Sequence, residues 1–173
     1  MPRHFASDPS FGTLPERRGG GRYCEIRLGE FALHADAFAS YQAFLAAGLP
    51  RTASRGLLEL VRDEDAGLLC FAGFPARQRM TREHPWADGF VWKTGALDQH
   101  LIRAAAWREI CMPAGHLTPA EAADWLRALH QAVPADIARR FFGPRGLTVA
   151  SAARHLGIGR SSLTRHLQQD RRR

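Results

Sequence analysis

The chain has 173 residues, of which 45% are apolar, and a formal net charge of +7. That length can bury one good core, or a moderate core plus a small module. No apolar run approaches the roughly 18 residues of a membrane-spanning helix, and the first residues lack the apolar centre of a secretory signal, so neither membrane insertion nor export is expected.

Residues 1–22 contain Pro2, Pro9 and Pro15 and end near three consecutive glycines, Gly19, Gly20 and Gly21. They show no apolar period, which predicts a flexible arm. Arg17, Arg18 and Arg22 suit an arm that grazes DNA, although an unstructured tail is the simpler reading. Residues 23–28 (YCEIRL) alternate as a half-buried strand does. Residues 36–47 read as an amphipathic helix with Phe38, Tyr41 and Leu45 inward, stopped by Gly48 and Pro50. Two apolar runs, 57–61 and 68–71, flank a charged stretch that includes Gly67 and so suggest a hairpin with a long loop.

Residues 76–89 are polar and place Arg77, Arg79 and Arg82 close to His84 and Trp86. Arginines with a stacking tryptophan would suit a ligand or nucleic-acid loop. A solvated surface loop with one anchoring tryptophan is the blander reading, and the favoured one. Residues 90–92 suggest a short strand, and residues 96–110 a helix with a broad apolar stripe suited to burial or dimer formation.

The clearest boundary is Met112, Pro113, Ala114 and Gly115. A strong helix start comes next, with Thr118 as N-cap, Pro119 in the first helical position and Glu121 completing a capping box. That helix runs through Trp125, Leu126 and Leu129 to Val133, and Pro134 opens a shorter one through Ile137 and Phe141. Trp125, Leu129, Ile137 and Phe141 would form a core beneath the C-terminal segment.

Residues 148–169, TVASAARHLGIGRSSLTRHLQQ, read as two short helices around a tight turn. Ala152, Ala153 and Leu156 face inward from the first, and Gly157 supplies the left-handed turn residue that a Cβ would disfavour. Leu163 and Leu167 lie one turn apart on the buried face of the second. The remaining residues of that helix are polar, and nearly all can donate hydrogen bonds.

Charge concentrates here. From residue 139 onward there are nine arginines and one acid, Asp170, whereas the first 138 residues hold 15 basic and 16 acidic residues. Codon bias toward arginine would spread the charge evenly. A basic segment coinciding with a helical hairpin is the footprint of a phosphate-backbone binder.

The run AARHLGIGRSSLTRHL resembles the Fis-type helix-turn-helix, a motif that also ends many bacterial enhancer-binding activators and invertase-type recombinases. Ala152, Ala153, Gly157, Ile158, Arg160, Ser162, Leu163, Arg165 and Leu167 match without a gap, while Gly159 stands where that family often has a polar N-cap. The likeness spans about 22 of the 173 residues. It implies that Arg160, Ser162, Thr164 and Arg165 touch bases in the major groove. Arg145, Ser151, Arg154, Ser161, Arg171, Arg172 and Arg173 are expected to hold phosphates.

Little in the sequence points to catalysis. None of the eight histidines has the H-x-x-x-H or H-E-x-x-H spacing of a metal site, and no G-x-S-x-G elbow or phosphate loop is present. Cys24, Cys70 and Cys111 form no C-x-x-C pair, which excludes a recognisable zinc finger and suits a reducing bacterial cytoplasm. The expected architecture is an α+β N-terminal domain over residues 23–112, then an all-α helix-turn-helix module over 117–169 and a basic tail, 170–173. The expected function is that of a bacterial, plasmid or phage transcription regulator, associated with the nucleoid. It would need no metal or cofactor and would bind double-stranded DNA as a homodimer. Residues 23–112 would sense, dimerise or contact a protein partner. The competing expectation is a DNA-associated adaptor whose motif docks on a protein, or a recombination or replication accessory protein.

Overall fold

The computed structural model describes residues 20–49, 56–113 and 115–169. Most of the arm expected over residues 1–22, with Arg17 and Arg18, lies outside the described residues, as do Arg171, Arg172 and Arg173. The N-terminal half carries a five-stranded mixed sheet, and helices fill the chain from residue 99 to residue 169, an α+β unit followed by an all-α one.

The strands are β1 (Gly21–Arg27), β2 (Phe31–Leu33), β3 (Leu58–Asp63), β4 (Gly67–Ala72) and β5 (Trp86–Trp92), in the order β1-β5-β3-β4-β2. β3 and β4 form the expected antiparallel hairpin. Its loop is shorter than the sequence suggested, because Asp63 Oδ1 accepts the backbone N–H groups of Asp65 (3.0 Å) and Ala66 (2.7 Å). β5 inserts between β1 and β3, antiparallel to the first and parallel to the second.

Side chains alternate across this sheet as a pleated strand requires. Phe71, Phe90 and Trp92 enter the larger core, while Ile26, Leu58, Leu60, Cys70 and Val91 enter a smaller one with Ala76 and Met80. Ala76 belongs to α2 (Phe74–Arg79), a short helix within a stretch that reads as loop. A distant residue completes the start of that helix. Glu109 Oε2 accepts the N–H groups of Gly73 (3.2 Å) and Phe74 (3.1 Å). Burial pushes the Glu109 carboxyl pKa upward, and these two hydrogen bonds oppose that shift. Gly73 itself has φ 84°, and a Cβ there would sit 2.2 Å from the Leu57 carbonyl oxygen, so no other residue fits.

The larger core is covered by α1 (Phe38–Ala46), which follows a single 3₁₀ turn at Ala35–Ala37, and by α3 (Gln99–Cys111). The face of α1 differs from expectation. Tyr41 and Phe44 are buried beside Phe74, but Phe38 is 58% exposed and Leu45 41% exposed. Apolar residues surround this helix, so their spacing does not choose a face. Packing chooses the one carrying Ser40 and Ala43, where the Ser40 hydroxyl donates to the Ala37 carbonyl and can be buried without loss.

Four further helices complete the chain: α4 (Pro119–Ala132), α5 (Ala135–Phe142), α6 (Val149–Leu156) and α7 (Arg160–Gln169). The Thr118–Glu121 capping box forms in both directions. Trp125, Leu129, Ile137 and Phe141 are buried, as the sequence predicts, and the Trp125 indole donates to the Ile110 carbonyl at 2.7 Å. α4 packs against both α1 and α7, so one apolar core runs without a break from the sheet to Leu163. A bidentate Arg103–Asp136 pair, at 3.1 and 3.2 Å, also ties α3 to α5. Among the described residues no helix is long and apolar enough to cross a membrane.

Candidate nucleic-acid interface

α6 begins with a second reciprocal cap. Thr148 Oγ1 accepts the Ser151 N–H at 3.0 Å, and Ser151 Oγ accepts the Thr148 N–H at 2.8 Å. The Ser151 hydroxyl also donates to the Gly146 carbonyl at 2.9 Å, so this expected phosphate contact is already engaged within its own helix start. At the other end Gly157 takes φ 67° and ψ 24°, and the Ile158 N–H reaches back to the Ala153 carbonyl at 2.9 Å. This left-handed cap reverses the chain over residues 157–159.

α7 then packs against α6, whose Ala152 and Ala153 are small and buried. Leu163 is fully buried and Leu167 half-buried, both packed into the main core with Ile158. This anchoring aims the polar residues away from it. Arg160, Ser161 and Arg165 are exposed, whereas Ser162 and Thr164 are half-buried.

The electrostatics of this region are one-sided. Arg139, Arg140, Arg145, Arg154, Arg160 and Arg165 are all exposed, and no acidic residue occurs from Ile137 to Gln169. Among the described residues Arg145, Arg154, Arg160 and Arg165 have no carboxylate partner. Their guanidinium groups carry full charge, and their forked donors suit phosphate oxygens or the guanine edge.

His155 lies inside the basic segment yet turns inward. Its Nε2 is 2.8 Å from the Cys111 carbonyl, and its ring stacks on Trp125 and meets Phe142 edge-on at 5.0 Å. Burial pushes the imidazole pKa below its ordinary value, although the hydrogen bond to Cys111 opposes this. In the sequence His155 is one histidine among several. Its position three residues after the buried Ala152 is the one available signal of its inward turn.

Beside His155 the end of α5 and the start of α6 enclose a cleft of about 530 Å³. Phe141, Phe142, Pro144 and Ala150 give it an apolar lining, and Arg145 and Arg154 are its charged residues. Nothing in the sequence pattern pointed to it, because its walls come from two helices and the connection between them.

The polar stretch at residues 76–89 does not act as one group. Arg77 turns inward, its guanidinium 4.3 Å from the Tyr41 ring centroid. Arg79, His84 and Trp86 instead border a second cleft with Glu25 and Asp88, which face each other across β1 and β5. Trp86 is no anchor. It opens β5 opposite Arg27, is 54% exposed and lies under that guanidinium at 5.8 Å.

Cys70 is buried, as its apolar neighbours predict, and desolvation raises its thiol pKa to about 12. Neither a protein-family model nor the sequence of a curated protein matches the chain.

Proposed function

We propose that this chain is a sequence-specific DNA-binding protein, a transcription regulator of a bacterium, plasmid or phage, acting in the cytoplasm on nucleoid DNA. α7 enters the major groove as the second helix of a Fis-type helix-turn-helix. Arg160, Ser162, Thr164 and Arg165 address base edges, and Arg145, Ser161 and Arg154 contact flanking phosphates. One observation carries this reading. Six exposed arginines stand on and between α5, α6 and α7, with no acid from Ile137 to Gln169, on a hairpin whose apolar side is fixed by Leu163. A surface helix kept merely soluble ordinarily mixes both signs of charge. A homodimer would present two such helices to half-sites about one helical turn apart.

Selection of duplexes from a random pool, followed by anisotropy titrations of the enriched and scrambled duplexes, tests the proposal. A sequence-specific reader enriches one site and binds it with a steep salt dependence. Failure to enrich any site, or an affinity that hardly changes with salt, overturns it in favour of docking on a protein.

A further inference from the structure

We propose that the cleft between α5 and α6 binds a small organic anion with an apolar body, an aromatic carboxylate being the simplest class, and that this ligand displaces DNA. The second half of this statement rests on the DNA-binding reading above. The first half does not.

Volume, lining and charge agree. The cleft's 530 Å³ falls within the roughly 300–1,000 Å³ of ordinary ligand pockets. Its walls are aromatic and aliphatic, from Phe141, Phe142, Pro144 and Ala150. The His155 ring that completes one side is held by the Cys111 carbonyl and by Trp125, so this wall is formed in advance. Burial favours the uncharged imidazole, which leaves Arg145 and Arg154 to supply the positive charge.

Both guanidiniums are exposed and without a carboxylate partner among the described residues, and no lining residue is acidic. The Thr148 and Ser151 hydroxyls are engaged in the helix cap, so recognition falls to charge at the mouth and to apolar contact within. A phosphodiester matches the two arginines but gains nothing from the aromatic lining. A carboxylate on an aromatic body uses both. Because Arg145 and Arg154 are also the groups assigned to DNA phosphates, ligand and duplex compete for the same cations, and each weakens the other by the same factor.

The test begins without DNA. The full chain is titrated with 8-anilinonaphthalene-1-sulfonate by fluorescence, and the probe is then displaced with 3-phenylpropionate or with the uncharged 3-phenylpropanol. Saturable binding is expected at one site per chain, displaced by the acid and not by the alcohol. Ala150→Phe, which fills the cleft, should abolish binding, and Arg154→Ala should weaken it roughly tenfold through loss of one charge-assisted contact. Binding that is unchanged in either variant, or equal displacement by acid and alcohol, overturns the assignment. Melting curves confirm that the variants are folded, and Arg154→Ala decides the matter if Ala150→Phe is not, since Arg154 is exposed.

The second arm adds 3-phenylpropionate to the chain on its selected duplex, against matched sodium chloride. Release from the wild type but not from Ala150→Phe supports competition, and an unaffected wild-type complex overturns it. Probe binding as expected with no duplex bound under any condition supports the cleft and removes the DNA reading. DNA binding with no probe bound removes the cleft alone.

Discussion

Replacing Arg145 and Arg154 together by alanine separates phosphate contact from base contact. Both side chains are exposed and have no carboxylate partner among the described residues, so the folded chain should lose little stability, within about 0.5 kcal/mol. If each neutralises one phosphate, the double variant lowers the slope of log affinity against log salt by about 1.8 for each protomer bound, at about 0.9 per contact. Over the fourfold range from about 50 to about 200 mM salt, that slope corresponds to a factor of about 12 in affinity. The variant should therefore bind more weakly at low salt and lose, for each protomer bound, about 12-fold less affinity across this range than the wild type. The effect should be equal on the selected and the scrambled duplex, because phosphates carry no sequence information. Anisotropy titrations at several salt concentrations on both duplexes measure this directly. An unchanged slope, or a loss confined to the selected duplex, would refute the assignment of these arginines to the backbone.

The same structure sets three other outcomes. Arg160→Ala should remove roughly 1–3 kcal/mol of discrimination while retaining most non-specific binding, and equal losses on specific and random duplexes contradict its base-reading role. Leu163 is fully buried at the base of α7, so Leu163→Ala should destabilise the chain by about 2–5 kcal/mol in denaturant titrations; a negligible change would mean that α7 is not anchored as described. For His155 the folded-state pKa lies below its ordinary value of 6.5. The unfolded chain therefore takes up the proton first, and the stability due to the neutral ring is complete above pH 6.5 and is lost as pH falls through the folded value. Wild-type melting temperature should fall over this acid range more than that of His155→Gln, which does not titrate, and parallel curves would exclude burial of the neutral ring.

The elements that the sequence announced are those whose chemistry is local. The Thr118–Glu121 cap, the stop at Pro134 and the reversal at Gly157 each depend on residues within one or two turns of each other, and each forms where expected. The β3–β4 hairpin is likewise set by two apolar runs and the residues between them. Where the determinant is remote, the sequence pattern misleads. α2 reads as loop because the group that completes its start is Glu109, more than thirty residues away. Trp86 reads as an anchor because the insertion of β5 beside β1, which leaves it at the sheet's end opposite Arg27, is a matter of strand order and not of composition.

The candidate interface divides in the same way. The amino-acid sequence by itself determined that the last helices are cationic, that a hairpin joins two of them, and that Leu163 faces inward while Arg160 and Arg165 face outward, because helical periodicity fixes those directions within a single element. Only the tertiary structure decided which face α1 buries, that His155 closes against the Cys111 carbonyl, that Arg77 lies over Tyr41, and that a cleft opens under Arg145 and Arg154. Each of these depends on where separate elements come to rest against one another. Burial rewards apolar contact without regard to direction, so many packings satisfy the same pattern until the whole chain selects one.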